Sequence, residues 1–283
     1  MAAKFGFRAC LTLLGSLSLL PATAFAISPG CSEIFSALGQ GPLGVVSSHG
    51  VLVSALRNAT LPPAANGGFG LNMWGTIVDR DGIVCSVAFT GTDRGDQWPG
   101  SRVISAQKAN TANAFSLPKL ALSTANLYTA VQPGGSLFGL QESNPVSTDV
   151  AYGGDPSKNG TADDPMFGGR IGGINVFGGG LALYRASDGK LLGGIGVSGD
   201  SSCADHNIAW KTRALLNLDN IPGGVDPASG TDNIVYDITN PGNSQAIAPK
   251  SASGWGHPQC SAAATAIGNA LPTTFPVGPG PQP

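Results

Sequence analysis

Charge is scarce in this 283-residue chain. Lysine and arginine together number 15, aspartate and glutamate 17, and the net charge at pH 7 is −2. That balance gives no electrostatic footprint for nucleic acid. Histidine is scarcer: His49, His206 and His257 stand far apart without carboxylates at ligand spacing, so they form no zinc or iron triad. The cysteines make neither C-x-x-C nor C-x-x-C-H, which argues against a zinc ribbon, a thioredoxin-type dithiol and covalent c-type heme. Ser198 is followed directly by Gly199, so the G-x-S-x-G elbow of a serine hydrolase is missing. The glycine runs at 168–169, 172–173 and 178–180 lack the strand, turn, helix and lysine context of a dinucleotide fingerprint or P-loop. Asp155, Asp163 and Asp164 depart from EF-hand spacing and read as a solvated loop.

The N-terminus carries Lys4 and Arg8, an apolar run from Ala9 to Leu20, and then Ala22-Thr23-Ala24-Phe25-Ala26. This pattern predicts a secretory signal cleaved after Ala26, with an apolar run too short to span a bilayer. The mature chain is expected to be soluble, with no membrane span, and secreted or periplasmic. Cleavage removes Cys10 and leaves Cys31, Cys85, Cys203 and Cys260, an even set for an oxidising compartment. Two disulfides follow, in any of three pairings.

Glycine and proline, 42 and 21 in number, read as turns, loops and tails around one domain, because 42% hydrophobic residues suffice for a core. Val45 to Asn58 suits a helix, and Thr60 to Gly70 is a loop. Asn72–Asp79 and Ile83–Phe89 are β-rich runs about Arg80-Asp81-Gly82, a hairpin signal; Gly180–Tyr184 and Leu191–Val197 repeat it about Ala186–Gly189. Helices are predicted over Ser101–Phe115, Leu120–Val131, Ala204–Leu218 and Ser261–Leu271. The segments 143–167 and 219–257 read as long insertions, the second with a possible strand at Asn233–Ile238. Residues 272–283 form a proline-rich tail expected to be disordered. The fold class is α+β: an antiparallel sheet of about five strands with helices packed mainly on one face, in a single domain over 27–271. Asn58-Ala59-Thr60 and Asn159-Gly160-Thr161 are sequons, relevant where the host glycosylates.

The run Gly193-Gly194-Ile195-Gly196-Val197-Ser198-Gly199-Asp200 leads into Ser202-Cys203-Ala204-Asp205-His206. A glycine-dense strand entering a turn and a helix presents backbone amides rather than bulky side chains. It serves either to hold a ligand or to let elements pack closely. On the following helix, His206, Trp210, Arg213 and Asn217 project together, opposite Ile208, Leu215 and Leu216. The bland alternative is a solvent face, or a Trp210 packed against an insertion or another subunit. His257, in Trp255-Gly256-His257-Pro258 near Cys260, reads as a structural turn, and His49 as a satisfied or exposed histidine.

The glycine run resembles the signature of the GlcG/HbpS family, in which an aspartate opening the next helix occupies the place of Asp205. Gly75-Thr76-Ile77-Val78-Asp79-Arg80-Asp81-Gly82 is similar to that family's first hairpin, and Ala106-Gln107-Lys108-Ala109-Asn110-Thr111-Ala112 to its K-A-x-T-A helix. The likeness covers roughly residues 45–140 and 168–218. It implies a heme-binding protein, protective or sensory, with the tetrapyrrole in a shallow or intersubunit pocket near the turn, and a homo-oligomer. On that reading the turn residues Gly196, Ser198 and Gly199 line the site beside Asp205. His206, outside the family motif, is the candidate axial and metal ligand, Trp210 the stacking plate, and Arg213, Lys108 and Arg170 partners for propionates. Pairing Cys203 with Cys260 and Cys31 with Cys85 would tie each non-family extension to a family element. Two other readings stay open: an enzyme or accessory acting on small organic acids or alcohols, and a structural interaction domain.

Overall fold

A computed structural model describes residues 1–2, 27–240 and 249–278; most of the expected signal and the last five residues lie outside them. Ser28 opens α1 (Pro29–Ala37) by accepting the Cys31 N–H at 3.0 Å, with Pro29 preset for the first turn. No element is expected from the sequence ahead of Val45, so this helix is an addition. Helix α2 (Val45–Thr60) follows, then the hairpin of β1 (Trp74–Asp79) and β2 (Val84–Phe89), and then α3 (Gly100–Phe115). The region expected to be helical over 120–131 yields only a 3-10 turn and the one-turn α4 (Tyr128–Val131). A short α5 (Thr148–Tyr152) lies in the first insertion, before the second hairpin of β3 (Gly180–Tyr184) and β4 (Leu191–Ser198). Ser201 caps α6 (Ser202–Leu215), and Ser261 caps α7 (Ala262–Thr274).

The fold is α+β, with an antiparallel sheet in the order β2-β1-β4-β3. It has four strands rather than about five. Residues 233–235 run across α6, and the later β5 (Ile238–Asn240) pairs with β6 (Lys250–Ser251) in a separate ribbon. Alternation sorts the strand residues between two faces. Ile77, Cys85, Leu181, Leu183, Ile195 and Val197 form the larger core with α1, α2 and α6. Val78, Val84, Val87 and Phe89 pack with Val103, Ala106 and Ala109 of α3 on the other face. The helices thus gather mainly on one face, with α3 across from them. Disulfides join Cys31 to Cys85 and Cys203 to Cys260. The tail is less loose than expected: Thr273 and Thr274 continue α7, and Phe275 and Val277 pack against the core. No helix among the described residues is long and apolar enough to cross a membrane.

Two of the three glycines of β4, Gly194 and Gly196, face α3. A Cβ on Gly196 would lie 1.9 Å from the Ser105 carbonyl oxygen, and one on Gly194 2.3 Å from that of Ala109. Both neighbours are helix backbone and cannot step aside. Gly196→Ala is therefore expected to cost about 3 kcal/mol in urea unfolding, far more than a methyl group at an exposed strand position.

Candidate functional site

The signature turn is closed on itself. The Asp200 N–H donates to Asp205 Oδ1 at 2.8 Å, and the Asp200 carboxylate accepts from the N–H groups of Phe69, Gly70 and Ser201. The Gln97 side-chain amide donates to the carbonyls of Gly199 and Asn72, fastening the turn to the entrance of β1. Lys108 Nζ reaches across to Asp205 Oδ2 at 2.7 Å and to the Val197 carbonyl at 3.1 Å. Lys108, Ser198 and Asp205 are all buried. Burial pushes the Asp205 carboxyl up to about 6, against the pull of Lys108. Of the residues expected to line a ligand cradle here, Lys108 and Asp205 thus spend their charges on each other and on the turn, while Gly196 is pressed against α3.

The polar face of α6 is also internal. His206, Arg213 and Asp232 are fully buried. Arg213 holds Asp232 through two hydrogen bonds of 2.6 and 2.8 Å and lies 4.9 Å from the Trp210 ring centre. Trp210 Nε1 donates to the Phe275 carbonyl at 2.9 Å. His206 Nε2 accepts the Ile234 N–H at 3.1 Å. The second insertion and α7 supply these partners and cover the face, so His206 is not the open metal ligand the sequence suggests. Leu215, expected on the apolar side, is exposed, and Asn217 turns out of the helix at a φ of +54°. Arg170 bridges Ile83 at the end of the sheet remote from Ser198, away from the signature turn.

An open cleft lies instead beside the edge strand β2. It has a volume of about 470 Å³ and is walled by α2, the loop after β2 and the loop at 156–161. Helix α2 contributes His49, Val53 and Arg57, spaced four residues apart on one stripe. Phe89, Arg94 and Asn159 complete the principal surface. Arg57 and Arg94 are exposed and form no ion pair among the described residues. His49 Nδ1 is shielded from solvent and has no hydrogen-bond partner there. Burial lowers the His49 pKa from its ordinary value, with the Val87 carbonyl opposing, which favours the neutral ring.

Phe89 lines the cleft, and buried Trp74 stacks behind it with ring centres 4.3 Å apart. Gly160 crosses the pair at a φ of +78°, where a Cβ would meet Phe89 Cβ at 2.8 Å. Asp164 anchors this crossing by accepting the Gly160 N–H at 2.7 Å while pairing with buried Arg102. Sequence reasoning missed the cleft. The 49-53-57 stripe was its one readable signal, since the other walls come from distant loops.

A family described as haem degrading protein HbpS-like matches residues 54–214, more than half of the chain. The chain belongs to this HbpS-like family. Among its relatives is the corrinoid adenosyltransferase PduO of Citrobacter freundii, 30% identical over 120 residues. That alignment takes in 42% of this chain and 27% of the relative, so this chain spans about a quarter of that protein's length. Two solved structures are similar in part. A PduOC:heme complex is 26% identical, covers 59% of this chain and 93% of its own, and has a TM-score of 0.39. Klebsiella pneumoniae protein ORFY is 21% identical, with coverages of 60% and 88% and a TM-score of 0.40. The HbpS-like segment begins within α2 and ends within α6. The covering insertion and α7 therefore lie beyond it, while Arg57, Phe89, Arg94 and Asn159 lie inside it.

Two buried histidines give the molecule an acid sensitivity. Burial lowers His206 to about 3 and His257 to about 4. Between pH 6.5 and 4 the unfolded chain takes up protons that these folded sites refuse, so they stabilise at neutral pH and lose that contribution on acidification. The raised Asp205 works in the opposite sense over part of the window. The informative measurement is the difference between variants: His257→Asn should flatten the fall in unfolding free energy from pH 6.5 to 4 by up to about 1.4 kcal/mol per pH unit.

Proposed function

We propose that this protein binds heme in the cleft between α2, β2 and the 156–161 loop. The observation that carries the reading is the juxtaposition of His49, Arg57 and Arg94 around a cleft with an aromatic floor in an HbpS-like chain. The donor set fits the group: an imidazole for iron, two guanidinium groups without an ion-pair partner among the described residues for carboxylates, and Phe89 for the apolar face. When bound, heme supplies an iron centre and two propionates. His49 holds the iron side, Arg57 and Arg94 orient the propionates, and the loop pinned by Asp164 limits water on the flank. The signal-like leader and the disulfide framework support action outside the cytoplasm, in capture, protection or sensing.

A heme titration of the mature chain, followed by visible absorption, tests this. The wild type should show a saturable Soret shift. His49→Ala should weaken binding at least tenfold, and the double change Arg57→Gln and Arg94→Gln several-fold. His206→Gln, if it folds, should leave the spectrum of the complex unchanged. Absence of a saturable shift in the wild type would overturn the proposal, as would binding and a spectrum indifferent to His49.

A further inference from the structure

Residues 233–236 and 255–258 lie side by side and form one strap beside α6. The Val235–Gly256 bridge and the His257 N–H, which donates to the Val235 carbonyl at 2.8 Å, hold the two segments together. Both ends are fixed to the body. Asp232, just before the strap, is gripped by Arg213 through bonds of 2.6 and 2.8 Å, and Cys260, just after it, is bonded to Cys203.

Between these anchors, a histidine stands on each side of the seam. His206 belongs to α6, and its Nε2 accepts the N–H of Ile234 on the strap at 3.1 Å. His257 belongs to the strap, and its Nε2 accepts the N–H of Gly178 on the body at 3.4 Å. Each side thus offers an imidazole lone pair to an amide of the other. An imidazolium has no lone pair, so a proton added at either Nε2 sets a donor against a donor. His257 Nδ1 lies 2.7 Å from the Pro258 carbonyl, which commits that nitrogen to donate and leaves Nε2 to take any added proton. At His206, Asn233 Oδ1 stands 3.2 Å from Nε2 and can accept the new proton only where the Ile234 amide moves aside.

The surroundings resist protonation while the strap is closed. Arg213 and Lys108 face His206, Lys108 also faces His257, and the two imidazoles face each other. The Tyr128 ring, 5.3 Å from that of His257, adds no charge. Asp232 is spent on Arg213, and Asp205 on Lys108 and the signature turn. Burial accordingly lowers His206 to about 3 and His257 to about 4, whereas an imidazole in water titrates near 6.5. Opening therefore takes up protons as the pH falls below about 6.5, and closure is favoured above it. Against this stand neutral bonds from the Asn126 and Thr129 side chains to the Asn233 and Gly256 carbonyls, each modest on its own. A cavity of about 390 Å³ borders the strap at Tyr236, His257 and Pro258, so that flank is not packed solid among the described residues.

We propose that the strap is an acid-released latch, which lifts from α6 below neutral pH while tethered at Asp232 and Cys260, and uncovers His206 with the sheet still folded. The inference is independent of the heme reading, since His49 and its cleft take no part in it.

Hydrogen exchange of the disulfide-bonded chain, read by mass spectrometry and corrected for the intrinsic pH dependence of amide exchange, tests this. From pH 6.5 to 4.5 the protection of 233–236 and 255–258 should fall relative to that of β4, by up to about tenfold per pH unit for each histidine. The double change His206→Gln and His257→Asn, which keeps a side-chain acceptor at each position without a titrating ring, should remove most of that fall. If the double variant does not fold, His257→Asn alone should remove roughly half of its logarithm. Strap and β4 losing protection together would make the transition global and overturn the proposal. Strap protection indifferent to pH would overturn it as well, as would a fall that His257→Asn leaves unchanged.

Discussion

The close approach of α3 to β4 is the constraint on which the rest of the molecule depends. It needs glycine at 194 and 196, where any side chain would enter helix backbone. It also fixes Lys108 at the one place from which its ammonium can meet Asp205, at the start of α6. One buried ion pair thereby ties the helix on one face of the sheet to the helix on the other. Such a pair adds little net stability over an apolar substitute, yet losing one partner strands a buried charge. Its contribution is to make a single arrangement of α3, β4 and α6 much better than its neighbours. The hydrogen bonds around Asp200 and Gln97 then continue that arrangement to the loop before β1.

With the signature occupied in this way, the segments outside the family match acquire distinct duties. Residues 231–236 and α7 close over the polar side of α6, giving His206, Trp210 and Arg213 partners that the family segment alone does not contain. Each disulfide fastens one of these additions: Cys31 brings α1 to β2, and Cys203 brings the approach to α7 onto α6. The first insertion, which lies inside the matched span, takes the opposite part. It leaves space, standing over the Trp74–Phe89 stack on a glycine and a buried aspartate.

Much of the framework was legible in the chain because it depends on local chemistry. The Arg80-Asp81-Gly82 turn, the alternation around it and the small-residue helix at 100–115 each state their structure within about fifteen residues. The site was not legible in the same way. His206 carries every attribute of a ligand on a helical wheel, but a wheel does not show that residues 231–236 will lie on that face. Arg57, Arg94 and Asn159 look like ordinary surface residues until three separate segments bring them around one space. The fifth strand failed for a related reason: Asn233 is drawn to the Gly268 carbonyl and Ile234 to His206, so the backbone there serves α6 and not the sheet.

The position of Asn159 carries a practical consequence. It belongs to an Asn-Gly-Thr sequon and lines the cleft. An oligosaccharide attached there would project from the wall of the cleft, with a bulk larger than the space itself. Material made in a eukaryotic secretory pathway would then be folded, disulfide-bonded and obstructed at its own doorway, whereas material made in a bacterial periplasm would be open.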